Sequence, residues 1–391
     1  MRVTVVHSFY DDAVPSGENT VVRAQVEELS KTYTVELVQR RTEELIHEPG
    51  YKVRSAFYAS GLGINRSIVD EVNASEPDIV HVHNTFPNIG TKWLKDLKVP
   101  HLTTLHNYRA ICSNALLWRD GSACTDCPDK GPHHAVVHGC YRGSRVSTAP
   151  LALSTWRVGR DPLIRDAAAV IALNYDALRV FKSYFPDSNV LRLPNFGPVD
   201  AGAARCLNHE RSGWLYIGRL TEEKNVTWLV RNAWELGEKL TLAGDGPLAQ
   251  EVSSLASNTN GAVEYVGRRS ESDVERLLTT ARGIVIPSLW SEGVPTVALK
   301  ALALGCPILI SDTCGAAFEL TRNGAGETFG VGVSGSLESA ARSIAGNQRT
   351  YGDSARRLFE DDYSPAVWSG RMAEVIEQQV RSHRAAGEVR R

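Results

Sequence analysis

The sequence predicts an α/β protein made of two doubly wound, Rossmann-like domains. Three observations predict it. Short β-branched apolar runs alternate with helical stretches along nearly the whole 391-residue chain. Those runs are continuously apolar rather than alternating, the pattern of parallel strands covered on both faces. The strand–helix series then starts afresh after Leu193-Pro194-Asn195, across a stretch (195–212) rich in Gly, Ala and polar residues. Length agrees, at roughly 150 residues per domain.

In the first half, residues 3–7 read as the first strand. The turn Pro15-Ser16-Gly17-Glu18-Asn19 leads into a helix over 20–30, with Val22, Val26 and Leu29 at helical spacing. Strands follow at 35–38, 79–83, 102–105 and 168–172. In the second half, strands at 214–217, 240–243, 263–266, 284–286 and 307–310 are separated by helices over 226–234, 247–257, 272–280 and 295–304. From Ser364-Pro365 a last helical pattern runs through Val367, Trp368, Met372, Ile376 and Val380, with Pro365 suited to a first turn. This helix is expected to cross back to the first domain. The domains are therefore 1–195, 196–364, and a helix and tail over 365–391, with a cysteine-rich insert at about 112–140 inside the first.

Composition narrows the function. Lys and Arg number 43 against 45 Asp and Glu, a formal net charge of −2. That balance offers no electrostatic footprint for nucleic acid, and no nucleic-acid partner is expected. Hydrophobic residues are 42% and charged residues 23%, enough for packed cores. The N-terminal run is cut short by Asp11 and Asp12 and lacks a signal-peptide core. No run approaches the roughly 20 apolar residues of a membrane helix. A cytoplasmic protein is expected.

Four loops of the second half follow strand C-terminal ends, where open α/β sheets bind ligands. Gly218-Arg219 with Lys224 sets a guanidinium and an ammonium past one strand, suited to a diphosphate or to solvent. Gly244-Asp245-Gly246-Pro247 and Gly267-Arg268 are, alone, turns. Glu292-Gly293-Val294-Pro295-Thr296 is the strongest: a carboxylate, a glycine permitting close approach, and a proline opening a helix whose first amides suit an anion.

Their order and spacing resemble the family 4 glycosyltransferases, retaining nucleotide-sugar enzymes of GT-B fold. The resemblance rests on Gly218-Arg219 with Lys224, Gly244-Asp245-Gly246-Pro247, Glu292-Gly293-Val294-Pro295, the linker Leu193-Pro194-Asn195, and Cys314-Gly315-Ala316-Ala317-Phe318-Glu319. It runs over nearly the whole chain and is most specific between Gly218 and Glu319. It implies a nucleoside-diphosphate-sugar donor. Arg219 and Lys224 would stabilise the leaving diphosphate, the amides around Gly293 to Thr296 would hold phosphate and sugar, and Glu292 would bind sugar hydroxyls. Fixed cations can neutralise the departing charge, so no catalytic divalent metal is expected. One position departs from the pattern: the family's second glutamate, a ribose contact, is here Lys300. An ammonium donates but cannot accept from a ribose hydroxyl. An unusual donor, a relocated ribose contact and weakened activity all fit, the relocated contact somewhat better.

In the first half, Gly17 is the candidate for close approach to the donor, although an ordinary turn explains it nearly as well. His106 ends a strand, placed to bond a sugar hydroxyl or shuttle a proton. His81 and His83 share one sheet face and read as packed residues. The insert carries Cys112, Cys124, Cys127 and Cys140, with the two-residue gap of a thiolate half-site between Cys124 and Cys127. A structural Cys₄ zinc is the preferred reading; His133, His134 and His138 are alternative ligands, and four separate thiols or a redox pair are the other readings. Trp118, Arg119, Tyr141, Arg142 and Arg145 lie in or beside the insert and suit an acceptor wall or its own packing. A weak amphipathic signal near Trp156 leaves peripheral membrane contact open. The leading function is transfer of a sugar to a hydroxyl of a saccharide, lipid-linked or natural-product acceptor. A nucleotide-sugar epimerase and an inactive nucleotide-sugar binding relative are the competing readings.

Overall fold

The computed structural model describes residues 1–10, 17–197 and 211–389. The turn residues Pro15 and Ser16, most of the linker with Cys206, and Arg390 and Arg391 lie outside the described residues. The chain divides into two units: 1–119, 124–193 and 368–391 form the first, and 120–123 with 194–367 the second.

The first unit holds a six-stranded sheet of β1 (Arg2–Phe9), β2 (Thr34–Arg41), β3 (Ile79–Val82), β4 (His101–Leu105), β7 (Ala169–Ala172) and β8 (Val190–Arg192). The small hairpin between them is β5 (Trp118–Arg119) and β6 (Ser122–Ala123). The sheet order is β2-β1-β3-β4-β7-β8, and every pairing is parallel. One face packs Val6, Val80 and Val82 against Ile68, Val72 and Trp93. The other packs Leu105, Val170 and Ala172 against Phe181 and Phe185. Strand order reverses between β1 and β3, which opens a crevice at their C-terminal ends.

The second unit repeats this scheme with β9 (Trp214–Ile217), β10 (Leu240–Ala243), β11 (Val263–Gly267), β12 (Gly283–Ile286), β13 (Ile308–Ser311) and β14 (Gly326–Phe329). The order is β11-β10-β9-β12-β13-β14, again all parallel, with the reversal between β9 and β12. Successive side chains enter opposite cores, as a pleated strand requires. Ile284 and Ile286 join Ala298, Leu299 and Leu302 of the helix Thr296–Ala303. Val285 between them joins Trp214, Leu240 and Leu242. Each such buried side chain contributes roughly 1.5–3 kcal/mol over an exposed one.

Three features were not legible as elements. β8 and β14 are edge strands of three and four residues, and β14, Gly326-Glu327-Thr328-Phe329, has no apolar run to mark it. The insert is not bare loop: it contains the helices Asp126–Lys130 and His133–His138, of five and six residues. Ala135, Cys127 and Ala152 form their small core against the helix Arg145–Trp156, so tertiary packing supplies what periodicity cannot. The last helix runs Pro365–Val389. It buries Trp368, Met372, Ile376 and Val380 in one stripe, and from Trp368 on it belongs to the first unit. There Arg384 pairs with Asp78 at 2.6 Å and His383 meets the Lys98 carbonyl at 3.2 Å. Among the described residues, no helix is long and apolar enough to cross a membrane.

Candidate active site

The crevice of the second sheet lies between the ends of β9 and β12, and the loops leaving those strands carry the residues singled out by sequence. Gly218 and Arg219 follow β9 directly. The buried Tyr216 hydroxyl donates to the Arg219 carbonyl at 2.7 Å and fixes that turn. Burial, with Glu292 and Glu223 nearby, pushes the Tyr216 phenol up, so it remains a donor. The Arg219 side chain is exposed. Lys224 closes a short 3₁₀ turn, Glu222–Lys224, and its ammonium pairs with the Glu292 carboxylate. The same ammonium lies 5.7 Å from the centre of the Trp290 ring.

Glu292 is 4% exposed. Besides Lys224, it accepts from the Cys314 thiol at 3.6 Å. Burial and this carboxylate push the Cys314 thiol well up, so it stays protonated. Beyond Glu292, Gly293, Val294 and Pro295 lead into the helix Thr296–Ala303, which has no side-chain cap. The Ala298 and Leu299 amides turn back on the Pro295 carbonyl, which leaves the amides before them to face an anion. Trp290 Nε1, Ser288 Oγ and Asn225 Nδ2 are buried without a hydrogen-bond partner. Buried polar atoms are seldom left unpaired, and these three belong to the two loops that carry Lys224 and Glu292.

The glycines of the second loop have a more specific role than a turn. A Cβ on Gly244 would lie 1.9 Å from the Gly218 carbonyl oxygen, and one on Gly246 2.6 Å from that of Leu220. The loops interlock through Gly218 N–H to Ala243, Leu220 N–H to Asp245, and Gly244 N–H to Gly267, at 2.9–3.1 Å. Gly244-Asp245-Gly246-Pro247 thus braces the Arg219 loop. Lys300 sits on the helix Thr296–Ala303 and pairs with Glu271, at the start of the helix Glu271–Thr280. Glu319 is fully buried and accepts from the Tyr363 hydroxyl at 3.2 Å.

The first unit has a different crevice. Gly17 opens the helix Gly17–Ser30 and is exposed. His106 follows β4, and its Nε2 lies 2.9 Å from His83 Nδ1. The His81 ring lies 4.1 Å from that of His83, tilted against it, and His7 reaches Asn19 at 3.2 Å. Burial pulls His7 down to about 4 and His81 and His106 to about 3, with neighbouring rings adding to the fall at His106. His106 is therefore a neutral hydrogen-bonding ring near pH 7, not an imidazolium. Glu18 and Arg109 line this crevice and act on the nearby Tyr10; Glu18 stands next to Gly17, but a single carboxylate after a turn carries no sequence signal.

In the insert, none of the four cysteines is in a disulfide. Burial first, then the sulfurs of Cys112, Cys140 and Cys124, push the Cys127 thiol up to about 12, which places all four within electrostatic reach. Cys112 donates to Asn114 Oδ1 at 2.9 Å. Among the described residues, the group whose ligand atoms all lie within 4.8 Å of one another is Asp126, His134 and His138, not the four thiols.

Comparison with known proteins finds a family model over part of the second unit. Residues 211–346 match the model described as glycosyl transferases group 1. That part of the second unit is similar to a group 1 glycosyltransferase domain. EpsF, a putative glycosyltransferase of Bacillus subtilis strain 168, is 33% identical over 177 residues, 40% of this chain and 45% of EpsF. The match thus spans less than half of that relative. Among solved structures, sucrose-phosphate synthase of Thermosynechococcus elongatus aligns with a TM-score of 0.67 at 16% identity, covering 97% of this chain and 99% of that one. Anabaena HepE in complex with UDP aligns at 0.61 and 13%, covering 97% and 100%. These likenesses show the fold, two Rossmann-like units of GT-B type.

Proposed function

We propose that the chain is a retaining glycosyltransferase that moves a sugar from a nucleoside-diphosphate sugar to an acceptor hydroxyl. The observation that carries this reading is the buried Lys224–Glu292 pair at the strand-order reversal of the second sheet, beside the exposed Arg219 and the uncapped helix Thr296–Ala303. Arg219 and Lys224 neutralise the departing diphosphate, and the amides from Gly293 to Thr296 hold the distal phosphate. Glu292 accepts from donor-sugar hydroxyls. Preorganised charges of this kind lower the barrier without reorganising during the reaction. The UDP held by HepE supports a nucleotide on this fold.

Lys300 supports a relocated ribose contact. It holds Glu271, whose side chain is 71% exposed, and so offers a carboxylate where the family's helix glutamate is missing. The acceptor is a saccharide, lipid-linked saccharide or natural product, and for a lipid-linked one the protein works at the membrane surface. For the insert, thiol spacing favours structural zinc on Cys112, Cys124, Cys127 and Cys140, while the fold offers Asp126, His134 and His138 as the competing set.

Thermal unfolding with UDP, GDP, ADP and TDP tests the donor reading. A ligand at a hundred times its Kd adds about 2.7 kcal/mol, roughly a few degrees in Tm for a chain of this size. One diphosphate is expected to give that shift, and Arg219→Ala to abolish it. A flat response to all four, from protein that unfolds cooperatively, would remove the proposal.

A further inference from the structure

The reversal between β1 and β3 opens a second crevice, wholly within the first unit. Its pocket is lined by Glu18, His83, Asn84, Phe86, His106 and Arg109. Two of these are ionisable groups of opposite sign that have not paired.

Glu18 lies in the first turn of the helix Gly17–Ser30. Its Oε1 is buried and has no hydrogen-bond partner. Burial raises its carboxyl to about 7, and Arg109 opposes the rise. The same two groups act on the buried Tyr10 hydroxyl, which bonds Asn84. Arg109 is held rigidly. Its guanidinium lies 4.3 Å from the Phe86 ring centre and 5.8 Å from that of Tyr141. Its Nη1 donates to the Ser113 carbonyl at 3.0 Å, while its Nε is buried and unpartnered. Glu18 and Arg109 feel each other but form no ion pair.

A half-buried carboxylate and a half-buried guanidinium that line one pocket without forming an ion pair leave a gap with defined chemistry. A cation entering it meets Arg109, and an anion meets Glu18. A hydroxyl suits both, since it donates to the carboxylate and accepts from the guanidinium. The neutral rings of His83 and His106 add bonding positions without charge. Phe86, Leu151 and Leu163 line the same pocket and supply the apolar flank that a sugar's C–H face requires.

We propose that this pocket binds one sugar residue by bridging a ring hydroxyl between Glu18 and Arg109. On the transferase reading this is the acceptor sugar, and Glu18 with Arg109 decides which hydroxyl is presented. A neutral polyol is the ligand class; neither a phosphate nor an amine satisfies both groups.

The test uses the full chain and three probes, the methyl α-glycosides of glucose, galactose and mannose, read by saturation-transfer NMR. At least one is expected to bind the wild type. Its affinity should fall about tenfold or more in Glu18→Gln and in Arg109→Met, the loss of one charge-assisted bond. Arg219→Ala should leave it unchanged. Should Arg109→Met fail to fold, Glu18→Gln and Glu18→Ala decide alone. Glycoside binding that survives both Glu18 variants overturns the proposal, as does a folded wild type that binds none of the probes. A diphosphate that produces no thermal shift would sink the transferase reading and leave this binding result standing.

Discussion

The two sheets share a topology and a crevice, and fill the crevice in opposite ways. At the end of β9 and β12, charge is paired: Lys224 with Glu292, and further out Lys300 with Glu271. At the end of β1 and β3, charge is unpaired: burial keeps the histidines neutral and raises the Glu18 carboxyl to about 7, and Arg109 lies over the Phe86 ring with Tyr141 nearby. A diphosphate needs fixed cations, whereas a neutral hydroxyl needs donors and acceptors that do not already satisfy each other. One architecture therefore carries paired charge at one crevice and unpaired groups at the other, according to what the loops after its strands carry.

The largest effect that would break this contrast lies in the ionic crevice. Glu292→Gln removes the charge that pairs with the half-buried Lys224 ammonium, and with it the proposed acceptor of donor-sugar hydroxyls. Transfer from the donor that shifts Tm should fall by about 10²–10³-fold, the scale of losing one preorganised electrostatic group. A rate within a factor of three of wild type would show that the pair is only structural.

Next in size is acid stability, which should divide the two units. His7 falls to about 4, and His81 and His106 to about 3, below the ordinary 6.5. A group depressed on folding adds stability above its unfolded value, and that stability is lost as pH falls through the folded one. Stability of the first unit should therefore decline from about pH 6.5 downward, and His81→Asn should flatten the decline. Calorimetry against pH checks this. Glu18 works the other way: its raised carboxyl favours folding below 4.5, and that contribution disappears as pH rises through 7.

Gly244→Ala should cost roughly 1–3 kcal/mol, because its Cβ meets the Gly218 oxygen at 1.9 Å and the backbone has to shift. Urea denaturation reads the loss directly. An unchanged midpoint would mean that the Arg219 loop is not braced there. The smallest effect is expected at Lys300→Glu, which sets a second carboxylate beside Glu271. Donor affinity should change by several-fold, and an unchanged Kd would take Lys300 out of the donor site. Zinc content sorts the insert: about one equivalent per chain that is lost in Cys124→Ser and kept in His134→Ala supports the thiol set, and the reverse supports Asp126, His134 and His138.

Much of the fold was legible because buried parallel strands announce themselves as apolar runs. β9 and β10 fall where those runs place them, over 214–217 and 240–243. Short edge strands and the five- and six-residue helices of the insert do not, since they owe their existence to neighbours distant in sequence. The Lys224–Glu292 pair could be anticipated for a related reason: Arg219, Lys224 and Glu292 lie in loops next to glycines and prolines that stand out. The grouping around Glu18 could not. Glu18, Phe86, Arg109 and Tyr141 are far apart in the chain, and a carboxylate whose main property is that nothing pairs with it leaves no mark in a sequence.

Hydrogen exchange on the full chain, with and without the diphosphate that shifts Tm, tests the division between the two crevices most directly. Protection is expected over 218–224 and 289–298, with 17–22 and 106–110 unchanged. Protection confined to the first unit, or absent from the second, would contradict the account.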